Sequence, residues 1–374
     1  MNIGICIIAY NRVNSLKRVL QSIENAYYED DSITLVISID KSNTCVVEEY
    51  AKAYEWKFGE KRIIVHPKNL GLRKHVLTCG NLLDEFDALI VLEDDICVAQ
   101  NFYLYAKECV NKFKDEENIA GISLYNFPIN YHNQLPFKPL NCDSDIYLMQ
   151  NAQSWGQVWM KKQWKKFIEW YRKNNEEFTD LPHLPRSICS WPQSSWLKYH
   201  TRYCIENNKY FVYPYISLST CFSDTGTHTA KHSTQIQSPI LYGIKKNYQF
   251  HPLIKYDAFF ENEIIYQCLS KSKEDLCIDF YGEKENKLNQ RFYLTRKVLP
   301  YKIIKSYALA LKPYEMNIIN QMDGQELFLY DTTVSEKKQG DTSIEKLFNF
   351  YMYGIDISLF ATVKRFIKKM INRK

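Results

Sequence analysis

The first hundred residues alternate between short apolar runs and segments in which apolar residues recur every three or four positions. The runs predict strands at 3–8, 35–39, 62–66 and 89–92, and the helical spacing predicts helices at 16–23, 46–56 and 72–83. Strands that alternate with helices form βαβ units, in which the sheet is mostly parallel. The pattern therefore predicts an α/β fold with a ligand crevice at the carboxyl edge of its strands.

The regular alternation ends after residue 126. Residues 127–222 are rich in Trp, Tyr, Asn, Gln and Pro, which is typical of long loops that form a pocket over a sheet. Residues 236–330 show mixed helical and strand signals without an assignable motif. We therefore expect the residues that select a ligand to lie in the irregular middle part of the chain.

The last segment of the chain has the pattern of an amphipathic helix. Phe360, Val363, Ile367 and Met370 fall on one helical face, and residues 361–374 contain six basic residues and no acidic one. Helices of this composition lie on anionic membrane surfaces. The segment predicts peripheral contact with a membrane, and the alternative is a helix docked on its own domain with a solvated basic face.

Glu93, Asp94 and Asp95 directly follow the five apolar residues at 88–92. An apolar run of this kind predicts a buried strand, so the three carboxylates are placed at the edge where α/β sheets bind ligands. Carboxylates packed together repel one another unless a cation lies among them, and their hard oxygen atoms suit Mg²⁺ or Mn²⁺. The alternative is a solvated acidic turn.

Composition narrows the class of protein. Of the 374 residues 45% are hydrophobic and 15% aromatic, which is typical of a globular chain with a surplus of rings for a core or for sugar stacking. The formal charge of +5 is small for this length. Eleven cysteines without a C-x-x-C pair, in a chain without a visible secretory signal, predict reduced thiols and a cytoplasmic location.

Two phosphate-binding motifs are missing from the sequence. It contains neither G-x-G-x-x-G nor G-x-x-x-x-G-K-[ST], and both depend on glycines where the backbone approaches phosphate. A dinucleotide-dependent dehydrogenase and a P-loop enzyme are therefore disfavoured. Nucleic-acid binding is also disfavoured, because the basic residues gather in the tail rather than on a sheet with exposed aromatic residues.

Several short motifs occur in a characteristic order. They are Ala-Tyr-Asn-Arg at 9–12, a strand ending at Asp40, Asn-Leu-Gly-Leu-Arg-Lys-His at 69–75, Glu-Asp-Asp at 93–95, Ser-Trp-Gly at 154–156 and Thr-His-Thr at 227–229. Over residues 3–235 this order resembles that of GT-A fold glycosyltransferases. It is similar to the bacterial family 2 polysaccharide glycosyltransferases and to the N-acetylglucosaminyltransferase I type.

The resemblance implies a division of the chain into parts. A GT-A catalytic domain would cover 1–235, with a nucleotide-binding half at 1–126 and an acceptor half at 127–235. Outside the resemblance, composition and periodicity predict a C-terminal extension at 236–334 and a linker with a basic amphipathic helix at 335–374. The sheet expected from the periodicity would then be the Rossmann-like sheet of the GT-A fold.

The resemblance also implies a metal site and a donor site. Asp95 would coordinate Mn²⁺ or Mg²⁺, and His228 would complete the metal shell or touch the diphosphate, with His232 as its competitor. Glu93 and Asp94 would hold the ribose or the sugar. A metal at this position stabilises the charge that grows on the diphosphate as the sugar leaves.

Four further residues receive nucleotide roles from the resemblance. Arg12 would pair with the diphosphate, Asp40 would bind the base and ribose, and Arg73 and His75 would border the nucleotide. Considered alone, Asp40 at the end of a strand is equally compatible with a helix cap. Arg73 considered alone is equally compatible with an ordinary surface arginine.

The acceptor side departs from the family pattern. Trp155, Gly156, Trp191 and Trp196 match acceptor-side positions, but the acid that related families carry between the last two tryptophans is absent. Inverting enzymes need such a carboxylate to take the proton of the acceptor hydroxyl. The possible substitutes are Asp224, which is nearest in sequence to His228, and Asp143, Asp145 and Asp180. Retention of configuration without a protein base and a degenerate, non-catalytic protein are the other two explanations.

The sequence therefore favours a hexosyl- or N-acetylhexosaminyltransferase that uses a nucleotide sugar, with UDP as the favoured nucleotide. Its acceptor would be a cell-surface glycan or a lipid-linked oligosaccharide at the inner face of the membrane, and inversion is the expected outcome. Two alternatives stay open at this point. One is a carbohydrate-binding scaffold of glycan assembly, and the other is a nucleotidyltransferase, although residues 11–14 do not form its Gly-rich loop.

Overall fold

The computed structural model of the chain describes residues 1–222 and 236–337 together with positions 363 and 367. The chain divides into two compact units. The first comprises Met1–Pro128 and Asn141–Ala258, and the second comprises Ile129–Leu140 and Phe259–Lys374.

Strands and helices are numbered along the whole described chain. The strands are β1 Ile3–Ala9, β2 Leu35–Ile39, β3 Lys61–Val65, β4 Ala88–Glu93, β5 Ile96–Val98, β6 Ile119–Ser123, β7 Ile129–Asn130, β8 Leu135–Pro136, β9 Ile146–Met149, β10 Gln157–Met160, β11 Tyr210–Pro214, β12 Ser219–Cys221, β13 Lys255–Tyr256, β14 Leu276–Asp279, β15 Phe292–Thr295, β16 Tyr301–Tyr307 and β17 Leu327–Ser335. The α-helices are α1 Val13–Glu24, α2 Val46–Ala53, α3 Leu72–Cys79, α4 Phe102–Phe113, α5 Lys161–Tyr171, α6 Arg186–Ser190, α7 Leu197–Glu206, α8 Ile264–Cys268 and α9 Glu315–Ile319, and a 3₁₀ turn covers Gly80–Asp84.

The first unit contains a nine-stranded sheet in the order β13-β9-β11-β6-β10-β4-β1-β2-β3. Strands β4, β1, β2 and β3 are parallel neighbours, whereas β10 runs antiparallel to both β4 and β6. The carboxyl ends of β1, β2 and β4 therefore share one edge. This arrangement confirms the predicted α/β fold with a mostly parallel sheet flanked by helices.

Helix α1 shows how the apolar pattern produces the packing. Leu16, Val19, Leu20 and Ile23 follow the helical period, and all four are fully buried in the main core. Burial of a side chain of this size stabilises the fold by about 1.5–3 kcal/mol. The periodicity therefore fixes both the helix and the face that it turns to the sheet.

The helix predicted at 72–83 has a structural break near its end. Helix α3 stops at Cys79, and the chain continues as the 3₁₀ turn. A Cβ atom at Gly80 would lie 2.2 Å from Nε1 of Trp164, so only glycine lets this indole approach the turn. Glycine at position 80 therefore allows Trp164 of helix α5 to pack directly against the turn.

The expectation of long loops throughout 127–222 is wrong. Strands β9, β10 and β11 from this region lie within the main sheet, and α5, α6 and α7 lie between them along the chain. Each of these strands has only four or five residues, and all of its residues are buried. Such short buried runs lack the alternation of polar and apolar residues that marks a half-exposed strand. They are also too short to stand out as apolar runs, so the sequence pattern does not indicate them.

The second unit has its own small sheet, in the order β14-β15-β17-β16. Strand β17 runs antiparallel to both of its neighbours, β15 and β16. Cys277, Tyr293, Phe328 and Tyr330 form the buried core of this sheet. The unit therefore buries an apolar face of its own.

Most of the predicted tail helix lies outside the described residues. Within it, Val363 and Ile367 are described as helical, and their side chains are exposed. In the described part of the chain, no helix is long and apolar enough to cross a membrane. All eleven cysteines lie in the described ranges and are free thiols.

Candidate functional site

The acidic triplet lies at the carboxyl edge of the central strands. Strand β4 ends at Glu93, which is in register with Ile8 of the parallel strand β1. The backbone N–H of Asp94 donates a hydrogen bond to the carbonyl of Ile8 at 3.1 Å. The apolar run thus holds the three carboxylates at the middle of the sheet, where the sequence predicts a ligand crevice.

Arg12 connects the two aspartates of the triplet. This residue immediately precedes helix α1, and its Nη2 donates to Oδ1 of Asp94 and, at 3.1 Å, to Oδ2 of Asp95. The side chain of Asp94 is 4% exposed, whereas that of Arg12 is 30% exposed. Burial opposes the charged form of Arg12, but the two aspartates outweigh it and raise its pKa. One face of the guanidinium therefore holds the carboxylates while part of it reaches solvent.

One guanidinium does not balance the negative charge at this edge. Burial, followed by the charges of Asp95 and Asp94, raises the pKa of Glu93 to about 8. Burial also raises the pKa of Asp94 to about 6, although Arg12 acts in the opposite direction. Packed carboxylates resist ionisation in this way when they lack cationic partners. The edge is therefore suited to a ligand that brings positive charge.

Asp95 provides a free oxygen for such a cation. Its Oδ1 is buried and has no hydrogen-bond partner among the described residues. No group of three or more His, Cys, Asp or Glu residues suited to a metal occurs within 1–222 and 236–337. Mg²⁺ and similar ions commonly bind through one or two carboxylates and take further oxygen ligands from substrate phosphates and water. The residues present fit a divalent cation on those terms.

Arg18 is a candidate ligand-binding residue that no sequence motif indicates. It lies on α1, and its guanidinium stacks on the ring of Phe222 at 4.2 Å. The backbone N–H of Phe222 donates to the carbonyl of Asp95 at 2.8 Å. Helix α1 therefore carries a further basic side chain, after Arg12 at its start, and Phe222 connects this side chain to the backbone of Asp95. The helical period gives no signal for Arg18, because position 18 lies nearly opposite the face formed by Leu16, Val19, Leu20 and Ile23.

Asp40 ties the end of β2 to the loop before α3. Its Oδ1 accepts from the backbone N–H groups of Lys41 at 2.9 Å and Leu70 at 2.8 Å, and its Oδ2 accepts from Gly71 at 3.0 Å. Gly71 has a φ of 74°, in the region that favours glycine. The buried carboxylate therefore shapes this loop, and its predicted contact with the base and ribose stays a prediction.

Arg73 is held entirely by other parts of the first unit. Its guanidinium donates to the hydroxyls of Tyr171 at 2.6 Å and Tyr199 at 3.3 Å. It also donates to the carbonyls of Gln193 at 3.1 Å and Asn175 at 3.0 Å, and it lies 4.2 Å from the ring centre of Tyr199. These contacts anchor α3 to the segment around α5 and α7. The predicted role at the nucleotide border stays a prediction.

His75 belongs to a hydrogen-bonded group beneath the loop that Asp40 shapes. Its Nε2 lies 2.8 Å from the hydroxyl of Ser38, which also lies 3.2 Å from Nε2 of His66. His75 and Ser38 are both almost fully buried. The imidazole of His75 therefore contacts the sheet, and its predicted nucleotide contact is untested.

Trp155 and Gly156 form a turn next to β12. The indole of Trp155 packs edge-on against Tyr125 with ring centres 4.9 Å apart, and its carbonyl accepts a 2.6 Å hydrogen bond from Ser219. Gly156 has a φ of 90°, and a Cβ there would lie 2.7 Å from the hydroxyl oxygen of Ser219. The predicted Ser-Trp-Gly motif is thus a glycine-dependent turn that presents a partly buried indole.

The other two acceptor-side tryptophans have different surroundings. Trp196 is 2% exposed and packs against Trp159 with ring centres 5.8 Å apart, so it is part of the core. Trp191 is partly exposed, and its carbonyl accepts a hydrogen bond from Nζ of Lys198 at 2.9 Å. Only Trp191 of this pair has surface available to an acceptor.

The predicted base and the predicted second metal ligand lie in the segment between Phe222 and Ile236. Asp224, His228 and His232 lie in 223–235, outside the described residues. Among the other candidate bases, Asp145 forms a 2.5 Å ion pair with Lys245. The remaining two, Asp143 and Asp180, are exposed.

The chain matches the protein family Glycosyl transferase family 2 over residues 4–155. This range includes β1 to β4, the acidic triplet and the turn at Trp155. No curated protein sequence matches the chain.

Among solved structures the chain is similar to a mannosyltransferase from Pyrobaculum calidifontis in complex with GDP-Man and Mn²⁺, at 11% identity and a TM-score of 0.35, covering 57% of each chain. It is similar to S. aureus TarS in complex with UDP-GlcNAc at 11% identity and a TM-score of 0.39, covering 62% of this chain and 61% of that one. For GalNAc-T7 with UDP, GalNAc and Mn²⁺ the identity is 13%, the TM-score 0.40 and the coverage 57% and 42%. The chain thus spans less than two thirds of these proteins.

Proposed function

Because the chain carries a Glycosyl transferase family 2 domain at residues 4–155, we propose that it moves a hexosyl or N-acetylhexosaminyl group from a UDP-sugar to a cell-surface glycan or lipid-linked oligosaccharide. The observation that carries the proposal is the edge of β1 and β4, where Asp95 presents a buried oxygen without a partner beside Arg12. A metal ion at this edge would stabilise the ionised carboxylates and would take phosphate oxygens of the diphosphate as further ligands.

The donor is held by complementary charges. Asp95 and His228 would hold a Mn²⁺ or Mg²⁺ ion, which would supply positive charge to stabilise the departing diphosphate. Arg12, with 30% of its side chain exposed, pairs with the diphosphate oxygens. Glu93 and Asp94 hold the ribose or the sugar. The assignment of His228 is supported by Phe222, which lies six positions before it and is bonded to the backbone of Asp95.

Transfer proceeds by inversion in this proposal. The acceptor hydroxyl attacks the anomeric carbon from the face opposite the diphosphate, the bond from that carbon to the diphosphate oxygen breaks, and a carboxylate takes the hydroxyl proton. Asp224 is the proposed base because it is two positions from Phe222. Trp155 and Trp191 offer aromatic surface to the acceptor, and Gly156 keeps the turn that presents Trp155.

The acceptor is proposed to be membrane-borne. The six basic residues at 361–374 suit the anionic inner face of a membrane, and Val363 and Ile367 on the apolar face are exposed. A peripheral contact of this kind would place the enzyme next to a lipid-linked glycan.

One observation favours a different function. Between Trp191 and Trp196 there is no acid, although related families carry one there. A carbohydrate-binding scaffold would need no base, and the sequence is rich in aromatic residues. Catalytic turnover separates this possibility from the enzyme.

A donor screen tests the proposal. The full chain is incubated with a panel of UDP- and GDP-sugars, Mn²⁺ or Mg²⁺, and a lipid-linked oligosaccharide fraction, and both free nucleotide and the mass of the acceptors are measured. We expect one UDP-sugar to be consumed, with an acceptor mass increase of one hexose or N-acetylhexosamine and an inverted anomeric configuration. If no donor is consumed and no acceptor gains mass, the enzyme is ruled out and the scaffold is favoured instead.

A further inference from the structure

The second unit contains a cleft with a volume of about 460 Å³. All of its lining residues come from the second unit, whereas the acidic triplet lies in the first. A volume of this size is within the range of small-molecule sites, roughly 300–1,000 Å³. The family match ends at residue 155, so the donor site gives no account of this cleft.

One wall of the cleft is a loop with an unusual backbone. Glu285, Asn286 and Asn289 all line the cleft, and their φ angles are 55°, 44° and 55°. Residues other than glycine adopt this left-handed region at a cost, and such positions gather at ligand sites. Three within five consecutive residues mark this loop as a built feature.

Asp279 holds the start of this loop in place. Its fully buried carboxylate accepts backbone hydrogen bonds from Glu283 at 2.7 Å and Lys284 at 3.1 Å, and a 2.6 Å hydrogen bond from the hydroxyl of Tyr293. Tyr293 itself lines the cleft. The wall is therefore preorganised, which lowers the cost of ordering on ligand binding.

The lining of the cleft also includes an aromatic ring. Tyr301 lines the cleft at the start of β16, and the register between β16 and β17 shifts between Tyr301 and Lys302. Irregularities of this kind re-aim side chains near binding sites. The ring of Tyr301 packs against Tyr330 with centres 6.4 Å apart, and it is half-buried. One part of this ring is thus supported by the core while another remains accessible.

The charges of the lining nearly cancel. Glu285 and Lys297 are its two charged residues, and they lie 4.0 Å apart as an ion pair. The other polar groups of the lining are amides and hydroxyls, among them Asn289 and Thr332. Neutral amides and hydroxyls beside an aromatic ring match a ligand with many hydroxyl groups and an apolar face. They do not match a phosphate or another polyanion, which would require unpaired positive charge.

We propose that this cleft is a second carbohydrate site, which binds a neutral hexose or N-acetylhexosamine unit of a glycan. The sugar ring stacks on Tyr301, and its hydroxyl groups bond to the amide of Asn289. A sugar hydroxyl also donates to the Oγ1 of Thr332, whose own proton goes to backbone carbonyls of the second unit. That this glycan is the acceptor rests on the proposed function, but carbohydrate binding in the second unit does not. With the acceptor glycan as its ligand, the cleft would retain that glycan between transfer events.

An array of defined neutral and N-acetylated oligosaccharides, probed with the full chain, identifies a ligand, and titration then gives its affinity. We expect Tyr301→Ala and Asn289→Ala each to weaken binding by at least about tenfold, as is usual for the loss of a central contact. Ile304→Ala is the matched control, because Ile304 lies on the same strand, is exposed and does not line the cleft. Circular dichroism checks folding, and Tyr301→Phe, which retains the ring, should keep most of the affinity.

Three results would overturn the proposal. They are an array without any bound glycan, affinity that survives both substitutions in the cleft, and affinity that is lost equally in Ile304→Ala. Asp95→Asn separates the two sites. It should abolish donor consumption and leave glycan binding unchanged, and loss of glycan binding in this variant would place the sugar at the donor site. Failure of donor consumption in the wild type would contradict the proposed function alone.

Discussion

Two arginines of the first unit, Arg12 and Arg73, have guanidinium groups in opposite electrostatic surroundings. The guanidinium of Arg12 donates to the carboxylates of Asp94 and Asp95. Glu93 directly precedes these two residues, and the buried Oδ1 of Asp95 has no partner among the described residues. Arg73 donates to two tyrosine hydroxyls and two backbone carbonyls, and no acidic side chain is among these hydrogen-bond partners in the described part of the chain. The first environment lacks positive charge, whereas the second has complete hydrogen bonding. A shortage of positive charge around packed carboxylates indicates a cationic ligand, and complete hydrogen bonding to neutral groups indicates a structural anchor.

The largest effect is expected for Asp95→Asn. Loss of this carboxylate removes the proposed metal ligand, so sugar transfer should fall by about 100-fold or more, as for other losses of transition-state charge stabilisation. The thermal midpoint should change little, because loss of the ion pair between Oδ2 and Arg12 is offset by weaker repulsion with Glu93 and Asp94, and Oδ1 makes no hydrogen bond within the described protein. Initial rates of nucleotide release measure the effect. Asp115→Asn, at an exposed position, is the control. An equal loss of transfer activity in this control would contradict a specific role of Asp95.

Arg73→Met should affect stability rather than chemistry. It removes four hydrogen bonds that join α3 to residues 171–199, which we expect to cost about 2–4 kcal/mol of unfolding free energy. Urea unfolding measures this cost, with the exposed neighbour Lys74→Ala as the control. Nucleotide affinity of the folded variant should be retained. A selective loss of that affinity would instead assign Arg73 to the nucleotide, and the contrast with Arg12 would disappear.

His200 shows that a buried group without a partner is not by itself a site. Both of its ring nitrogens lack described partners, and the ring stacks on Phe167 at 4.0 Å within an aromatic core. Burial lowers its pKa to about 3, so the folded chain keeps it neutral where the unfolded chain protonates it. Stability associated with His200 is therefore lost as the pH falls below about 6.5, by roughly 1.4 kcal/mol per pH unit.

His200→Phe tests whether burial keeps this ring neutral in the folded protein. Between pH 7 and pH 5 the variant should lose about 2 kcal/mol less stability than the wild type. Urea unfolding at the two pH values gives the comparison. Parallel pH profiles of the two proteins would mean that His200 has a proton partner in the folded state.

Several features were predictable because they depend on neighbours in sequence. The apolar run 88–92 predicts both strand β4 and the position of the triplet, and the period of Leu16, Val19, Leu20 and Ile23 predicts helix α1. The partners of Arg73 were not predictable, because they lie 98 to 126 positions away along the chain. Strands β9 to β11 were missed for a different reason, since their few buried residues acquire strand structure through pairing with distant strands.

Binding of UDP to the full chain tests the central claim most directly, because it separates the donor site from the acceptor. Calorimetric titration is carried out with Mn²⁺ and with EDTA, for the wild type and for Asp95→Asn. We expect the wild type to bind UDP with Mn²⁺. Either EDTA or the substitution should weaken this binding by at least about tenfold, because loss of an interaction that supports a metal site has an effect of this size. UDP binding of equal strength in all four conditions would contradict a metal-bridged diphosphate site at Asp95.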